Sequence, residues 1–489
     1  MATMMKQVVL LMLAGVGICV GAGRPNVVFI LADDMGTGDV RVLNPESKIA
    51  TPNLDGLANA GMVFADAHSG SAVCTPTRYG VMTGRYCWRS RLKRGVLMGY
   101  SGHLIDPERV TVADVMAGAG YRTGVVGKWH LGLDWVKKDG GDEVDFTKRV
   151  GNHPGVYGFD ASFLVPASLD MAPYVFVKDG MPMAVPTLEQ PALDFPDYVR
   201  KGPRMEGFEM DTALDRIVAE ARSFIADGAG REQPFFLYLP LTAPHKPVTP
   251  HARFRGKSGL GPYGDFVMQV DDSVGRVLGA LDEAGVKDET LVVFTSDNGS
   301  FMYGLDDGEK DHVDDPRVQG FHRGHHRANG GLRGTKADVW EAGHRVPFFV
   351  RWPGVVKAGG RCAVAVCLTD FFATCADVVG RGEKVGEGED SFSLVPLLEG
   401  REGDFKRAPV VNHSASGMFA VRDGKWKLVA GNGSGGREKP RGKVFEKPYQ
   451  LFDLEADMGE VNNLAGEMRG RVKAMAGMLQ GLMDRGGSR

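Results

Sequence analysis

The stretch Asn26-Val27-Val28-Phe29-Ile30-Leu31-Ala32 runs straight into Asp33-Asp34. It is too short for a helix, it is apolar after its first residue, and it stops on charge, so it reads as a buried strand. Four more short apolar runs repeat the pattern: Thr123–Gly127, Pro234–Leu239, Leu291–Thr295 and Val346–Arg351. Helix-like segments lie between them at Asn53–Ala60, Val110–Ala119, Met210–Ala226 and Asp265–Ala284, the last before Gly285 as a stop. Strands alternating with helices specify an α/β domain built on a mostly parallel central sheet flanked by helices.

The rest of the chain is compatible with that domain. Its 489 residues correspond to one or two large domains, and 43% hydrophobic with 24% charged residues is an ordinary globular composition with a sizeable core. Lys+Arg 58 against Asp+Glu 61 gives a net charge of −3, so no global field holds a polyanion, which argues against nucleic acid as a partner. An anionic substrate must be held by a local cluster of cations. Lys6, the apolar run Val8–Val20 and small residues up to Ala22 form a secretory signal, residues 1–22, and predict a secreted or periplasmic protein with no membrane span. Of the six cysteines Cys19 lies in that signal, and an odd number remains, which excludes a fully disulfide-paired scaffold. Cys362, Cys367 and Cys375 sit in apolar sequence as small hydrophobes.

After the Gly/Glu-rich stretch Gly380–Asp390 the pattern changes. Short alternating runs at Val410–Val411, Met418–Arg422 and Lys425–Val429, with turns at Asp423-Gly424 and Gly431–Gly436, predict a small antiparallel sheet; Val461–Met483 predicts a closing helix. The expected organisation is a catalytic α/β domain over residues 23–390 and a C-terminal α+β subdomain over 391–489.

Ligands of open α/β sheets bind at the carboxyl ends of the strands. Those ends carry Asp33-Asp34, Lys128-Trp129-His130, Ala243-Pro244-His245-Lys246 and Ser296-Asp297-Asn298-Gly299. Singly, each is also what a helix cap, a solvated loop or a turn looks like. Together they bring carboxylates, a carboxamide, two histidines and a lysine to one sheet edge. Carboxylates with an Asn carbonyl form a hard oxygen cage suited to Ca²⁺ or Mg²⁺, with Lys128, His130 and His245 beside it as cations and proton carriers for an oxyanion ester. Ser71–Gly84 adds Cys74 at the start of a helix whose first turn contains Pro76, where the amides and dipole favour an anion. A structural cysteine or a plain reactive thiol is the alternative reading of Cys74 taken alone.

Cys74-Thr75-Pro76-Thr77-Arg78, followed by Thr83-Gly84, resembles the Cys-x-Pro-x-Arg signature of the type I sulfatases, in which the cysteine is oxidised to formylglycine. Asp33-Asp34, Gly127-Lys128-Trp129-His130, Ala243-Pro244-His245 and Ser296-Asp297-Asn298-Gly299 resemble the family's other signatures in the same order, and Gly334-Thr335-Lys336 its last lysine. The likeness runs from Pro25 to Gly354 and weakly beyond. Gly158–Lys178 and Pro250–Asp271 are similar to arylsulfatases and N-acetylgalactosamine-6-sulfatase-like members. Thr77 stands where the family more often has Ser, and keeps the hydroxyl.

The resemblance implies an alkaline-phosphatase-like fold and one Ca²⁺ held by Asp33, Asp34, Asp297, Asn298 and an oxygen of the residue formed at Cys74. It implies that Arg78 steadies that residue's hydrated aldehyde, that Lys128 and Lys336 neutralise sulfate oxygens, that His130 acts on the diol, and that His245 binds sulfate or protonates the leaving oxygen. A serine attacking sulfur would remain a stable sulfate ester; an aldehyde hydrate has one hydroxyl to attack and another to expel sulfate. The implied substrate is a sulfated carbohydrate or an aryl sulfate, and the implied partner is a formylglycine-generating or other maturing enzyme.

A second cluster, His322, Arg323, His325, His326, Arg327 and Arg333, follows Asp306, Asp307, Asp311, Asp314 and Asp315. It reads either as a solvated charged loop or as a subsite for a sulfated sugar. Arg85, Arg89, Arg91, Lys93 and Arg94, with Trp88 as a stacking face, could add to such a subsite. Two other functions are the alternatives, and a single-metal phosphonate hydrolase with formylglycine would share the motifs above. A phosphoester or phosphonate monoester hydrolase of the same superfamily would, in its two-zinc form, replace Cys74 by Ser or Thr and add histidines; a non-catalytic glycan-binding protein would leave Cys74 unconverted.

Overall fold

The computed structural model describes residues 24–489 apart from 383 and 385, so the expected signal segment lies outside the described residues. A ten-stranded sheet forms the centre of the large domain, and strand Asn26–Asp33 runs through its middle. Its two neighbours, Phe235–Pro244 and Thr290–Ser296, are both parallel to it. Arg122–Lys128 and Ala161–Val165 extend the parallel set on one side; on the other, Phe348–Arg351 pairs antiparallel with Thr290–Ser296. The sheet is mostly parallel, as the alternation of runs predicts, and the last of the five runs is the exception.

Alternation along the central strand feeds two cores. Val27, Phe29 and Leu31 pack with the helix Cys74–Thr83 and the helices Val112–Gly118 and Asp370–Val378. Val28, Ile30 and Ala32 pack with the helices Pro52–Asn59, Ala213–Ala229 and Gly261–Glu283. Each larger aliphatic or aromatic side chain so buried contributes about 1.5–3 kcal/mol, which is why the run had to be apolar on both faces. Register at the functional edge is set by backbone contact. Gly127 has φ 131°, and a Cβ there would lie 1.9 Å from the Pro240 carbonyl oxygen, so only glycine lets these neighbouring strands close beside Lys128.

The C-terminal unit is a four-stranded antiparallel sheet, Val410–His413, Phe419–Asp423, Trp426–Val429 and Gln450–Asp453, with the helix Arg469–Asp484 against it. Val410, Val421, Leu428 and Leu451 meet Met475, Leu479 and Leu482 in its core. The fourth strand is not visible as a periodic run in the sequence. The closing helix starts later than Val461, because Asn463 Oδ1 accepts the Leu451 and Ala465 amides and the Leu464 amide goes to the Leu451 carbonyl, tying that turn to the sheet edge. Leu394, Leu397 and Leu398 still belong to the large core, so the main domain's packing continues past residue 390. The five described cysteines are buried and unpaired.

A buried ionic cluster fastens the small sheet to the large domain. Lys427, on the small sheet, donates to Glu341 at 3.0 Å and lies 2.8 Å from Glu460. His344 packs on the same cluster, with Nδ1 3.0 Å from His68 Nδ1, and His68 Nε2 meets Asp66 at 2.7 Å. Arg422 closes the cluster onto Asp66 at 3.0 Å. Removing one partner of a buried pair leaves the others desolvated and uncompensated, at a cost of about 3–5 kcal/mol. Lys427→Ala is therefore expected to lower unfolding free energy by about that amount in denaturant titration, whereas Lys425→Ala, at an exposed pair, should change it by less than about 1 kcal/mol; equal effects would refute the cluster's role.

Candidate active site

The carboxyl ends of the three central strands meet the start of the helix Cys74–Thr83. Asp33 closes the middle strand, and Asp34 follows with φ 66°, a left-handed conformation rare for a residue with a side chain. That turn brings its amide to Asp297 Oδ1 at 3.1 Å. His130, with φ 56°, is turned in the same way after Lys128. Two strained residues at one sheet edge mark where packing holds geometry against local preference.

Arg78, fully buried one turn along the helix from Cys74, organises the carboxylates. Its Nη2 lies 2.7 Å from Asp297 Oδ2 and 3.6 Å from Asp33 Oδ1, and its Nη1 donates to the Lys128 carbonyl at 3.0 Å. Lys128 Nζ donates to Asp33 Oδ2 at 2.6 Å and to Ser168 Oγ at 2.9 Å. Lys336 Nζ donates to Asp34 Oδ2 at 2.7 Å and lies 3.3 Å from Cys74 Sγ. Asn298 Nδ2 donates to Asp34 Oδ1 at 2.7 Å. His245 Nε2 lies 3.5 Å from Asp34 Oδ2. Every catalytic and metal residue expected from the sequence is thus gathered here: Asp33, Asp34, Cys74, Arg78, Lys128, His130, His245, Asp297, Asn298 and Lys336.

The donor set fits a hard divalent cation. Asp33 Oδ1 and Asn298 Oδ1 are buried and meet no protein donor, and Asp33, Asp34, Cys74 and His245 offer ligand atoms within 4.8 Å of one another. Burial pushes the Asp33 carboxyl up to about 7 despite Lys128, with Asp297 adding repulsion. A cation between these oxygens would relieve that repulsion, and oxygen donors favour calcium or magnesium over zinc.

Burial also pushes the Cys74 thiol up to about 12, even with Lys128 and Lys336 nearby, so as a plain cysteine it is a poor thiolate nucleophile. Burial, reinforced by Lys128 and Arg78, holds His130 well below the usual imidazole range. Its Nε2 faces the Leu97 carbonyl at 2.8 Å and must donate there, which leaves Nδ1 as a buried lone pair with no protein donor. His245 is likewise held down, chiefly by burial, and its Nδ1 faces the Lys246 carbonyl at 2.6 Å.

Cys74, His130, His245 and Lys336 open into a cavity of about 420 Å³ whose outer wall, Lys246 apart, was not singled out from sequence. Asp170 is paired with Arg200 and keeps its buried Oδ1 unpartnered. Tyr198 lies under Arg200, with the guanidinium 5.3 Å from the ring. Burial, with Arg437 and Lys336 close by, pushes Lys246 down to about 8. Arg437 reaches the cavity from the loop between the last two strands of the small sheet. Lys246 closes the Ala243–Lys246 stretch; Asp170, Tyr198, Arg200 and Arg437 carry no motif, and the charge of three of them was the only sequence signal.

The His322–Arg327 segment is not brought into this cavity. His326 is buried against Asp39 at 2.8 Å, His325 meets Asp311 at 2.7 Å and stacks on His322, and Arg323 and Arg327 line a separate hollow beside Tyr303. Most of its polar groups are thus used in holding the loop to the body of the domain.

A protein-family profile described as Sulfatase matches residues 25–381. Over 498 aligned positions the chain is 33% identical to the N-acetylgalactosamine-6-O-sulfatase of Bacteroides thetaiotaomicron, covering 94% of both chains. It is 32% identical to human arylsulfatase A, covering 95% of this chain and 87% of that one. A solved structure from work on the metabolism of multiple glycosaminoglycans by Bacteroides thetaiotaomicron superposes with a TM-score of 0.82 at 32% identity, over 94% of this chain and 100% of the other.

The oxygen cage predicts a stability effect independent of turnover. A ligand at a hundredfold excess over its Kd stabilises by about 2.7 kcal/mol, so calcium should raise Tm by a few degrees in a thermal melt. Asn298→Ala removes one cage oxygen and should shrink that rise; an undiminished rise would place the cation elsewhere.

Proposed function

The chain belongs to the sulfatase family of sulfuric ester hydrolases, and from that premise we propose that it removes sulfate from a sulfated carbohydrate, using formylglycine matured from Cys74 and one calcium ion. The observation that carries the reading is the convergence of Asp33, Asp34, Asp297, Asn298, Lys128 and Lys336 around Cys74 at the floor of one cavity. The signal-like residues 1–22 support export, as a secreted or periplasmic protein. No helix among the described residues is long and apolar enough to cross a membrane. Conversion of Cys74 calls for a formylglycine-generating or other maturing enzyme as partner.

Asp33, Asp34, Asp297 and Asn298 would hold the calcium, which supplies Lewis-acid stabilisation of charge on the transferring group. Formylglycine, as its hydrate, supplies a nucleophilic hydroxyl and a second hydroxyl for release of sulfate. The chain's own groups do the rest. Lys128 and Lys336, fixed by Asp33 and Asp34, present their ammonium charge to the sulfate oxygens and need little reorganisation as charge develops. Arg78 keeps Asp297 ionised and in place. His130, neutral and with a free Nδ1 lone pair, is placed to take a proton. His245 has its Nδ1–H committed to a carbonyl, so it becomes a donor to the leaving oxygen when Nε2 takes a proton, which a bound anion favours. On the outer wall, Arg200 and Tyr198 offer a cation and a ring face to a sugar, and Asp170 Oδ1 an acceptor for a hydroxyl.

Two measurements test this. Peptide mass spectrometry after co-expression with a maturing enzyme should find the aldehyde at Cys74, and Cys74→Ala should release no sulfate; active protein carrying only unmodified cysteine would overturn the mechanism. Arg200→Ala should raise KM for 6-sulfated N-acetylgalactosamine about tenfold, the value of one charge-assisted contact. For a small aryl sulfate it should change KM little, because that substrate leaves the outer wall empty. Equal losses on both substrates would place Arg200 in the sulfate pocket instead.

A further inference from the structure

Beside the Cys74 cavity runs a second hollow of about 510 Å³. The two share their rim. Gly95, Val96 and Ala415 line the first, and their chain neighbours Lys93, Arg94, Ser416 and Gly417 line the second. The Gly95 amide donates to the Ala415 carbonyl at 2.9 Å, which fixes the two segments side by side. The two hollows are therefore neighbours across one hydrogen-bonded rim, close enough for successive residues of one bound chain to occupy both.

The second hollow is cationic and aromatic. No acidic side chain lines it. Arg85 and Arg89 are already neutralised from behind by Glu389 at 3.4 Å and Asp390 at 2.8 Å. Lys93 and Arg485 reach only backbone carbonyls, those of Trp88 and Gly481, and Arg94 has no side-chain partner among the described residues. Three exposed cations therefore face the hollow with no carboxylate among the described residues paired to them. Trp88 lines it beside Phe419 and is only 6% exposed, yet its indole N–H has no acceptor. Arg89, with its guanidinium 4.2 Å from the ring centroid, and Tyr86, stacked at 5.7 Å, make the indole part of the hollow's wall.

We propose that this hollow is a binding subsite for the flanking anionic sugar residues of a sulfated polysaccharide whose sulfated sugar occupies the Cys74 cavity. The proposal rests on the glycan sulfatase reading above and extends it from one sugar to a chain. Guanidinium groups such as those of Arg94 and Arg485 pair with sulfate and carboxylate oxygens in fork geometry, and the Lys93 ammonium adds a third positive charge. Three local cations over a protein of net charge −3 suit a short anionic segment, not an extended polyanion such as a nucleic acid.

The test compares matured, calcium-loaded wild type with Arg94→Glu/Arg485→Glu, and with the milder Arg94→Ala/Arg485→Ala. Both side chains are exposed, so the fold does not depend on them. The substrates are 4-nitrophenyl sulfate, 6-sulfated N-acetylgalactosamine and a chondroitin 6-sulfate hexasaccharide. In wild type, kcat/KM should rise from monosaccharide to hexasaccharide, and salt should erode the gain. Charge reversal should remove the gain, about tenfold and mostly in KM, and the alanine pair should remove part of it, with the two small substrates unaffected. A gain that survives charge reversal, or no gain in wild type that still hydrolyses the monosaccharide, overturns the subsite while leaving the glycan reading intact. Turnover of the aryl sulfate alone overturns both.

Discussion

Three carboxylates buried at the edge of one sheet repel one another, and most of what surrounds them answers that repulsion. Arg78 takes Asp297, Lys128 takes Asp33 and Lys336 takes Asp34, each at 2.7 Å or closer. An uncompensated buried charge costs several kcal/mol, so these pairs constrain the helix at Cys74, the end of the strand at Lys128 and the loop at Lys336 to one mutual geometry. The strained backbone at Asp34 and His130 is held by the same closure. Two oxygens, Asp33 Oδ1 and Asn298 Oδ1, stay unsatisfied by protein, which is the physical reason the cage is suited to a cation.

The small C-terminal unit belongs to this site as well as to the scaffold. Its loop carries Arg437 to the cavity, and Ala415 forms the shared rim with Gly95. The buried cluster of Lys427, Glu341, Glu460 and His344 locks the two units together within a short stretch of chain from Lys336. Because buried ion pairs are costly to break and exacting in geometry, the cluster constrains how the small unit brings Arg437 to the cavity at Cys74. The lining of the cavity thus draws on both units, whereas the oxygen cluster of Asp33, Asp34, Asp297 and Asn298 is built wholly from the large one.

The apolar runs gave away the central strands because both faces of a parallel sheet must be covered, and Asp33-Asp34, Lys128, His130, His245 and Asp297-Asn298 followed because ligand chemistry sits where such strands end. The strand Gln450–Asp453 was not legible: it owes its place to pairing with Trp426–Val429 more than to its own pattern. The His322–Arg333 segment is charged and close in sequence to the strand-end motifs, yet Asp39 draws His326 into the body of the domain and Asp311 ties His325 back onto the preceding acidic stretch.

Sequence by itself determined the fold class, the order of the strands' functional ends and the chemistry of the cage, because strand periodicity, burial and ligand type are local properties of the chain. Tertiary structure alone decided which further residues line the cavity at Cys74. Asp170, the Tyr198–Arg200 segment and the distant Arg437 meet at one cavity, and whether an arginine is neutralised from behind, as Arg89 is by Asp390, or left facing solvent, as Arg94 is, depends on what long-range packing puts beside it. A charge is written in the sequence, but its partner is chosen by the fold.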